Sequence, residues 1–414
     1  MSELSKRYNT ITLDNGLRVI HREDKVTSMV ALSVLYDTGA RDENPEHTGL
    51  AHLMEHLMFG GSVNVPDFDK ALQDAGGINN AWTSNDFTCF YDVVPAHNAE
   101  TLFWLESDRM LQLAFSEESL DVQKKVVVQE FYQQSINRPY GKLNHAVRAL
   151  AYKNHPYRWP VIGLVPDHVE KTTLSDIINY YNSHYSTENA YIAVVGNISF
   201  GKVKEYVEKW FADIRPRKIR MRELPGEPSI TEPRIEIIRD EVPNILLSVN
   251  YLMDKYGTKD YYVADFISDI LASGRSSIFY RELVLGTGLF DSVDASIHGS
   301  EDPGLFNISA LLREGVEVDE ALKAINNIIN RLKSEAVSEK DRLRALNRIE
   351  SARMFENIGP LQQSQNLVLA FYHNTMPEEV MDIYRAITDR DILSVANRLF
   401  KPESSATVIY QPKD

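Results

Sequence analysis

The order of strand-like and helix-like segments between Ile11 and Gly196 is run through a second time after residue 233, and a repeat of this kind restricts the chain to two copies of one fold. In the first run, Asn15-Gly16 stands between two β-prone stretches within Ile11 to Ile20, a strong hairpin signal. Met29 to Tyr36 reads as a buried strand, and Asp37 to Glu46 as a polar loop containing Gly39 and Pro45. Thr48 is placed to cap a helix that Gly60-Gly61 would stop. Pro66 to Ala75 reads as a helix closed by Gly76-Gly77, residues 78–94 as a strand pair, and Asn98 to Leu111 as a further helix. Ser116 then opens a helical run, Leu120 to Gln134, and Tyr191 to Gly196 is a short buried strand that closes the half.

The second run answers these in order. Arg234 to Ile238 and Asn244 to Leu252 match the opening strands, and Tyr261 to Leu271 with Ala272-Ser273-Gly274 matches the first helix and its glycine stop. Leu305 to Leu312 answers the strand at Phe87 to Val94, Glu320 to Leu332 answers the helix ending at Leu111, and Ser338 answers Ser116. Ile214 to Thr231 holds three prolines and the cluster Arg215, Arg217, Lys218, Arg220 and Arg222, which reads as a linker whose basic run is a solvated surface segment. The expected architecture is α+β: two similar domains, 1–213 and 233–414, joined by the linker 214–232, each an antiparallel or mixed β-sheet packed against helices.

At 414 residues there is material for two well-buried cores. A net charge of -15 argues against nucleic acid or an anionic membrane as partner. The single cysteine, Cys89, rules out an intrachain disulfide. Met1 to Thr10 carries no apolar leader and no run reaches membrane-spanning length, so the expected compartment is cytoplasmic.

The first predicted helix contains His52-Leu53-Met54-Glu55-His56. Residues four apart share a helix face, so His52 and His56 can hold one metal ion with Glu55 beside them. The sequence H-x-x-E-H inverts the common zinc-peptidase order. The same residues could instead be two core histidines satisfied by hydrogen bonds. Phe266 to Ile270 falls at the corresponding place in the second run, so that copy has no metal motif. Glu130, on the helix after Ser116, would by itself be an ordinary solvated side chain.

Several separated segments together resemble the pitrilysin family of zinc peptidases, which includes the mitochondrial processing peptidases and insulin-degrading enzyme: Asn15-Gly16-Leu17, His52 to Phe59, Asn80-Ala81 with Thr83, Glu130, His155 to Gly163, and Asn189-Ala190 leading into Val194-Val195-Gly196. The resemblance implies Glu130, with 73 residues between it and His56, as third ligand of one Zn²⁺ per chain. It implies Glu55 as general base, and Asn80 and Ala81 as contacts to a peptide bound as an added β-strand. It also implies a supporting Glu two helical turns before the ligand Glu, where this chain has Gln123. In the second half the family commonly carries an Arg and, seven residues later, a Tyr. By register on Gly288-Leu289 those places are Val284 and Asp291, and Arg281 has no Tyr seven residues on. The resemblance therefore implies the zinc-bearing member of a heterodimer whose partner supplies the Arg/Tyr pair. A self-sufficient homodimer, a scaffolding subunit and a regulatory metal-binding protein are the alternatives.

Overall fold

The computed structural model describes residues 8–413; Met1 to Arg7, most of the segment read above as lacking a leader, lie outside the described residues. Two sheets are formed. The first takes β1 (Asn9–Thr12), β2 (Arg18–Glu23), β3 (Met29–Tyr36), β4 (Ile78–Thr83), β5 (Thr88–Pro95) and β6 (Ala190–Gly196) in the order β1-β2-β6-β3-β5-β4. The second takes β7 (Arg234–Asp240), β8 (Leu246–Met253), β9 (Phe290–His298), β10 (Gly304–Leu312) and β11 (Ser405–Pro412) in the order β7-β11-β8-β10-β9.

The repeat is a repeat of topology. The last strand of each run enters the middle of its sheet: β6 lies parallel to β2 and antiparallel to β3, and β11 parallel to β7 and antiparallel to β8. Next come β5 and β10, and β4 and β9 form the corresponding edges. The hairpin at Asn15-Gly16 forms as expected, with Gly16 in the left-handed region at φ 87°.

Both faces of each sheet are covered, which is why β3 reads as an almost unbroken apolar run, MVALSVLY. On one face of the first sheet Val19, Val30, Leu32, Val34, Phe90, Ile192 and Val194 pack against the helices of the first run. On the other, Ile20, Leu35, Cys89, Ala193 and Val195 pack against Leu367 and Val368 of the helix Pro360–Tyr372. The second sheet mirrors this, its outer face taking Ala146, Val147 and Ala151 of the helix Leu143–Ala151. Each sheet thus borrows one helix from the other run of sequence.

Within the described residues the compact units are consequently interleaved along the chain rather than contiguous: one comprises residues 8–131, 160–223 and 353–378, the other 132–159, 224–352 and 379–413. Amphipathicity announces that a helix has an apolar face but not which sheet covers it.

Residues 214–232 contain no helix or strand, yet two of the basic residues read as solvated are not. Arg217 donates to the carbonyls of Met110 (3.0 Å) and Leu111 (2.6 Å), groups left over at the C-terminus of the helix Glu100–Leu111. Arg222 donates to Asp42 (2.6 Å) and to the Asp37 carbonyl (2.9 Å).

Candidate metal centre

The helix Leu50–Leu57 buries Leu50, Ala51, Leu53, Met54 and Leu57 against the sheet, and this leaves His52, Glu55 and His56 half-buried along its remaining face. Thr48 is not its cap. Gly49 occupies the N-cap at φ 88°, and Glu43 closes the helix start by accepting from Gly49 N–H (3.0 Å) and Ala51 N–H (2.8 Å). A carboxylate there suits the positive end of the helix dipole. Thr48 Oγ1 instead meets His168 Nδ1 at 2.8 Å and accepts from Leu164 N–H at 2.8 Å. Gly49 and Gly163 press backbone to backbone: a Cβ on Gly163 would come within 2.9 Å of the Thr48 carbonyl oxygen.

Glu130 projects from the helix Glu117–Phe131 towards the two histidines. His52 Nε2 and His56 Nε2 are 3.3 Å apart, and Glu130 Oε2 lies 3.5 Å from the first and 3.7 Å from the second. Among the described residues this is the one place where three such side chains converge their ligand atoms.

Two observations test whether a metal fits. Ligands at zinc bond lengths in a tetrahedron stand about 3.3 Å from each other, close to the spacings found. The alternative of two hydrogen-bonded core histidines accounts for the Nε2···Nε2 contact but leaves His52 Nδ1 buried with no hydrogen-bond partner among the described residues, and gives no reason for Glu130 to converge on the same two Nε2 atoms. Burial, and secondarily the nearness of His56, lowers the His52 pKa to about 4, which keeps its ring neutral and able to ligate. Three protein donors leave a fourth position open, the pattern of catalytic rather than structural zinc.

Glu55 stands beside this cluster. Burial raises its pKa, against the pull of a hydrogen bond from Thr83 Oγ1 to Oε2 and of His56. Thr83 was legible only as part of a resemblance; no sequence signal assigns it to Glu55, nor Glu43 to the helix start. Asn80 and Ala81 lie on β4, the edge strand, where Ala81 N–H donates to Asn80 Oδ1 at 2.8 Å. Gln123 is half-buried on the helix of Glu130, seven residues earlier.

In the second unit Arg281 is held by Asp341, at 2.8 and 3.2 Å. Val284 is partly buried, and Asp291 accepts from Asn244 (3.2 Å) and pairs with Arg313 (3.4 Å). No Arg/Tyr pair occupies those places.

Two topologically matched units, one bearing a His₂Glu donor set with a neighbouring carboxylate, define a class: metallopeptidase-type proteins with an H-x-x-E-H helix. Comparison with known proteins narrows it. The family profile described as "Insulinase (Peptidase family M16)" matches residues 18–163, and that described as "Peptidase M16 inactive domain" matches 171–349. The chain belongs to the M16 family, the insulinase/pitrilysin-like zinc proteases.

It is 27% identical over 419 residues to the zinc protease PqqE of Helicobacter pylori, covering 98% of this chain and 93% of that one. To the "Probable mitochondrial-processing peptidase subunit beta, mitochondrial" of Arabidopsis thaliana it is 25% identical over 402 residues, covering 94% and 75%. The crystal structure of a protease from Helicobacter pylori superposes with a TM-score of 0.91 at 25% identity, covering 98% of this chain and all of that one. Among the described residues no helix is long and apolar enough to cross a membrane.

Proposed function

We propose that the chain is a zinc metalloendopeptidase of unstructured peptides and the zinc-bearing subunit of a heterodimer. The observation that carries the reading is the convergence of His52, His56 and Glu130 at 3.3–3.7 Å with Glu55 alongside. His52, His56 and Glu130 would hold one Zn²⁺, which when bound would supply Lewis acidity to a peptide carbonyl and to water.

Glu55 accepts the proton of the attacking water and later hands it to the leaving amine nitrogen, returning to carboxylate. A carboxyl whose pKa is raised by burial is better matched to that exchange near neutrality than a solvated one. The substrate adds to β4, where Asn80 and Ala81 meet its backbone. Edge-strand addition requires an extended chain, so folded proteins are poor substrates. Gln123 supports the Glu130 helix without adding negative charge.

The heterodimer is supported by the second unit: Arg281 is committed to Asp341, and the places where the resemblance implies an Arg and a Tyr hold Val284 and Asp291. A homologous partner chain supplies the pair, and the two chains enclose the substrate between them. The relative named as a beta subunit of a processing peptidase accords with such a division of labour. A scaffolding subunit would have no use for Glu55 next to a metal.

The test is hydrolysis of a quenched fluorescent unstructured peptide, with zinc measured on the same sample, by the chain alone and with a candidate partner. Zinc at one per chain with turnover appearing only on adding the partner is expected, and Glu55→Gln should keep the zinc and lose turnover by about 10²–10⁴-fold. Turnover by the chain alone would replace the heterodimer by a self-sufficient enzyme. Full activity of Glu55→Gln would remove the peptidase mechanism.

A further inference from the structure

A glutamate reaches its carboxylate through three rotatable bonds, and a base with that freedom spends little of its time aimed at one water. In this chain the freedom of Glu55 is restricted by Thr83, whose Oγ1 donates to Glu55 Oε2. Thr83 is the last residue of β4, opposite Thr88 of β5. Alternation along the strand explains its direction. Ala81 packs into the core shared with the motif helix, whereas Trp82 packs on the opposite face and donates to Gln365 Oε1 at 3.1 Å.

The position of Thr83 is fixed independently of Glu55. In the turn that follows it, Ser84 N–H donates to the Phe87 carbonyl at 2.8 Å. The turn is pinned from the 39–43 segment: Ala40 N–H donates to Ser84 O (3.1 Å), Arg41 N–H donates to Asn85 O (2.8 Å), and the Arg41 guanidinium pairs with buried Asp86 at 3.0 Å. Gly39 allows this approach, since a Cβ there would fall 2.6 Å from Asn85 O. The same segment ends in Glu43, which holds the start of the helix carrying Glu55. One loop thus fixes both the hydroxyl donor and the helix of the acceptor.

We propose that Thr83 is the positioning residue for Glu55. Its hydroxyl occupies Oε2, so that Oε1 is the oxygen presented to the attacking water. Thr83 also ends the strand assigned to the peptide, so the orientation of the base is tied to the register of the bound chain. The proton taken from water resides on Glu55 and leaves with the amine; Thr83 donates a hydrogen bond throughout and exchanges no proton. The inference rests on the peptidase reading above.

The experiment compares wild type, Thr83→Val and Thr83→Ser as the active, zinc-loaded assembly on the same quenched peptide, with zinc content measured for each. Val keeps the shape and removes the hydroxyl; Ser keeps the hydroxyl. Thr83→Val should lower kcat about 10–100-fold at unchanged zinc content, with KM within about twofold. Thr83→Ser should regain turnover to within about threefold of wild type. Wild-type kcat in Thr83→Val overturns the proposal, as does an equal loss in Val and Ser variants, which would mark a merely structural strand end. If the wild-type assembly itself hydrolyses no peptide, the peptidase reading falls and takes this inference with it; activity in wild type with no effect of Val removes this inference alone.

Discussion

The helix Leu50–Leu57 and the helix Lys259–Ala272 stand in corresponding places beside sheets of matching strand order, and what joins each to its neighbouring helix differs. Counted from Gly60 and Gly274, His52 answers Phe266, Glu55 answers Asp269 and His56 answers Ile270. Counted from the capping serines Ser116 and Ser338, Glu130 answers Ala352. In the second unit Phe266 and Ile270 are fully buried. The two helices there are tied by arginines: Arg348 pairs with Asp269 at 2.7 Å, and Arg344 donates to the carbonyls of Ile270 and Ser273, both at 2.8 Å. In the first unit the equivalent junction holds two imidazole Nε2 atoms 3.3 Å apart and a carboxylate 3.5 Å from one of them, all half-buried. One scaffold therefore supports either a closed junction that adds to the core or an open one that can take up a metal, and a few side chains decide which.

The largest expected effect comes from writing the second unit's residues into the first. His52→Phe with His56→Ile should take zinc after dialysis from one per chain to none, and hydrolysis with it. Retention of stoichiometric zinc by that variant would show that the ligand set is wrong. Smaller, and opposite in character, is Phe266→Ala. Removing a fully buried aromatic ring should destabilise the second unit by about 3–5 kcal/mol. The loss should be seen as faster amide exchange in residues 259–272 while zinc content stays the same. A fall in zinc content would mean that the two junctions are not independent.

Much of this comparison is legible in sequence, and the limits have physical causes. Strand alternation, the Asn15-Gly16 turn and the glycine stops at Gly60 and Gly274 are local signals, and the structure has the corresponding elements with ends shifted by a few residues. The repeat is legible because each run must bury one sheet in the same way. What is not legible is long-range satisfaction of polar groups. Glu43 at the helix start, Arg217 on the last carbonyls of the helix Glu100–Leu111 and Thr83 on Glu55 each answer a need created only when distant segments meet. The exchange of the helices Leu143–Ala151 and Pro360–Tyr372 between the sheets is hidden for the same reason, because an apolar helix face fits either one.

The smallest effect is expected at the junction already closed by charge. Asp269 is buried and Arg348 is half-exposed, so Arg348→Ala removes a partly solvated ion pair and leaves the carboxylate to Arg344 and Ser273. The cost should be about 1–2 kcal/mol at neutral pH, below that of a fully buried pair because solvent screens the guanidinium. Its sign with pH follows from burial, which holds the Asp269 carboxyl above its usual range while Arg348 and Arg344 pull it back. Without Arg348 the folded-state pKa rises further, so the native chain binds the proton more tightly than the unfolded chain, whose carboxyl titrates at about 3.9. Stability contributed by that group therefore increases as pH falls from the folded value towards the unfolded one. The deficit of Arg348→Ala against wild type should be greatest near neutrality and shrink towards pH about 4, as read from urea midpoints across that window. A deficit that does not change with pH would mean that Arg348 acts through the packing of its aliphatic stem, and the second junction would then be closed by contact rather than by charge.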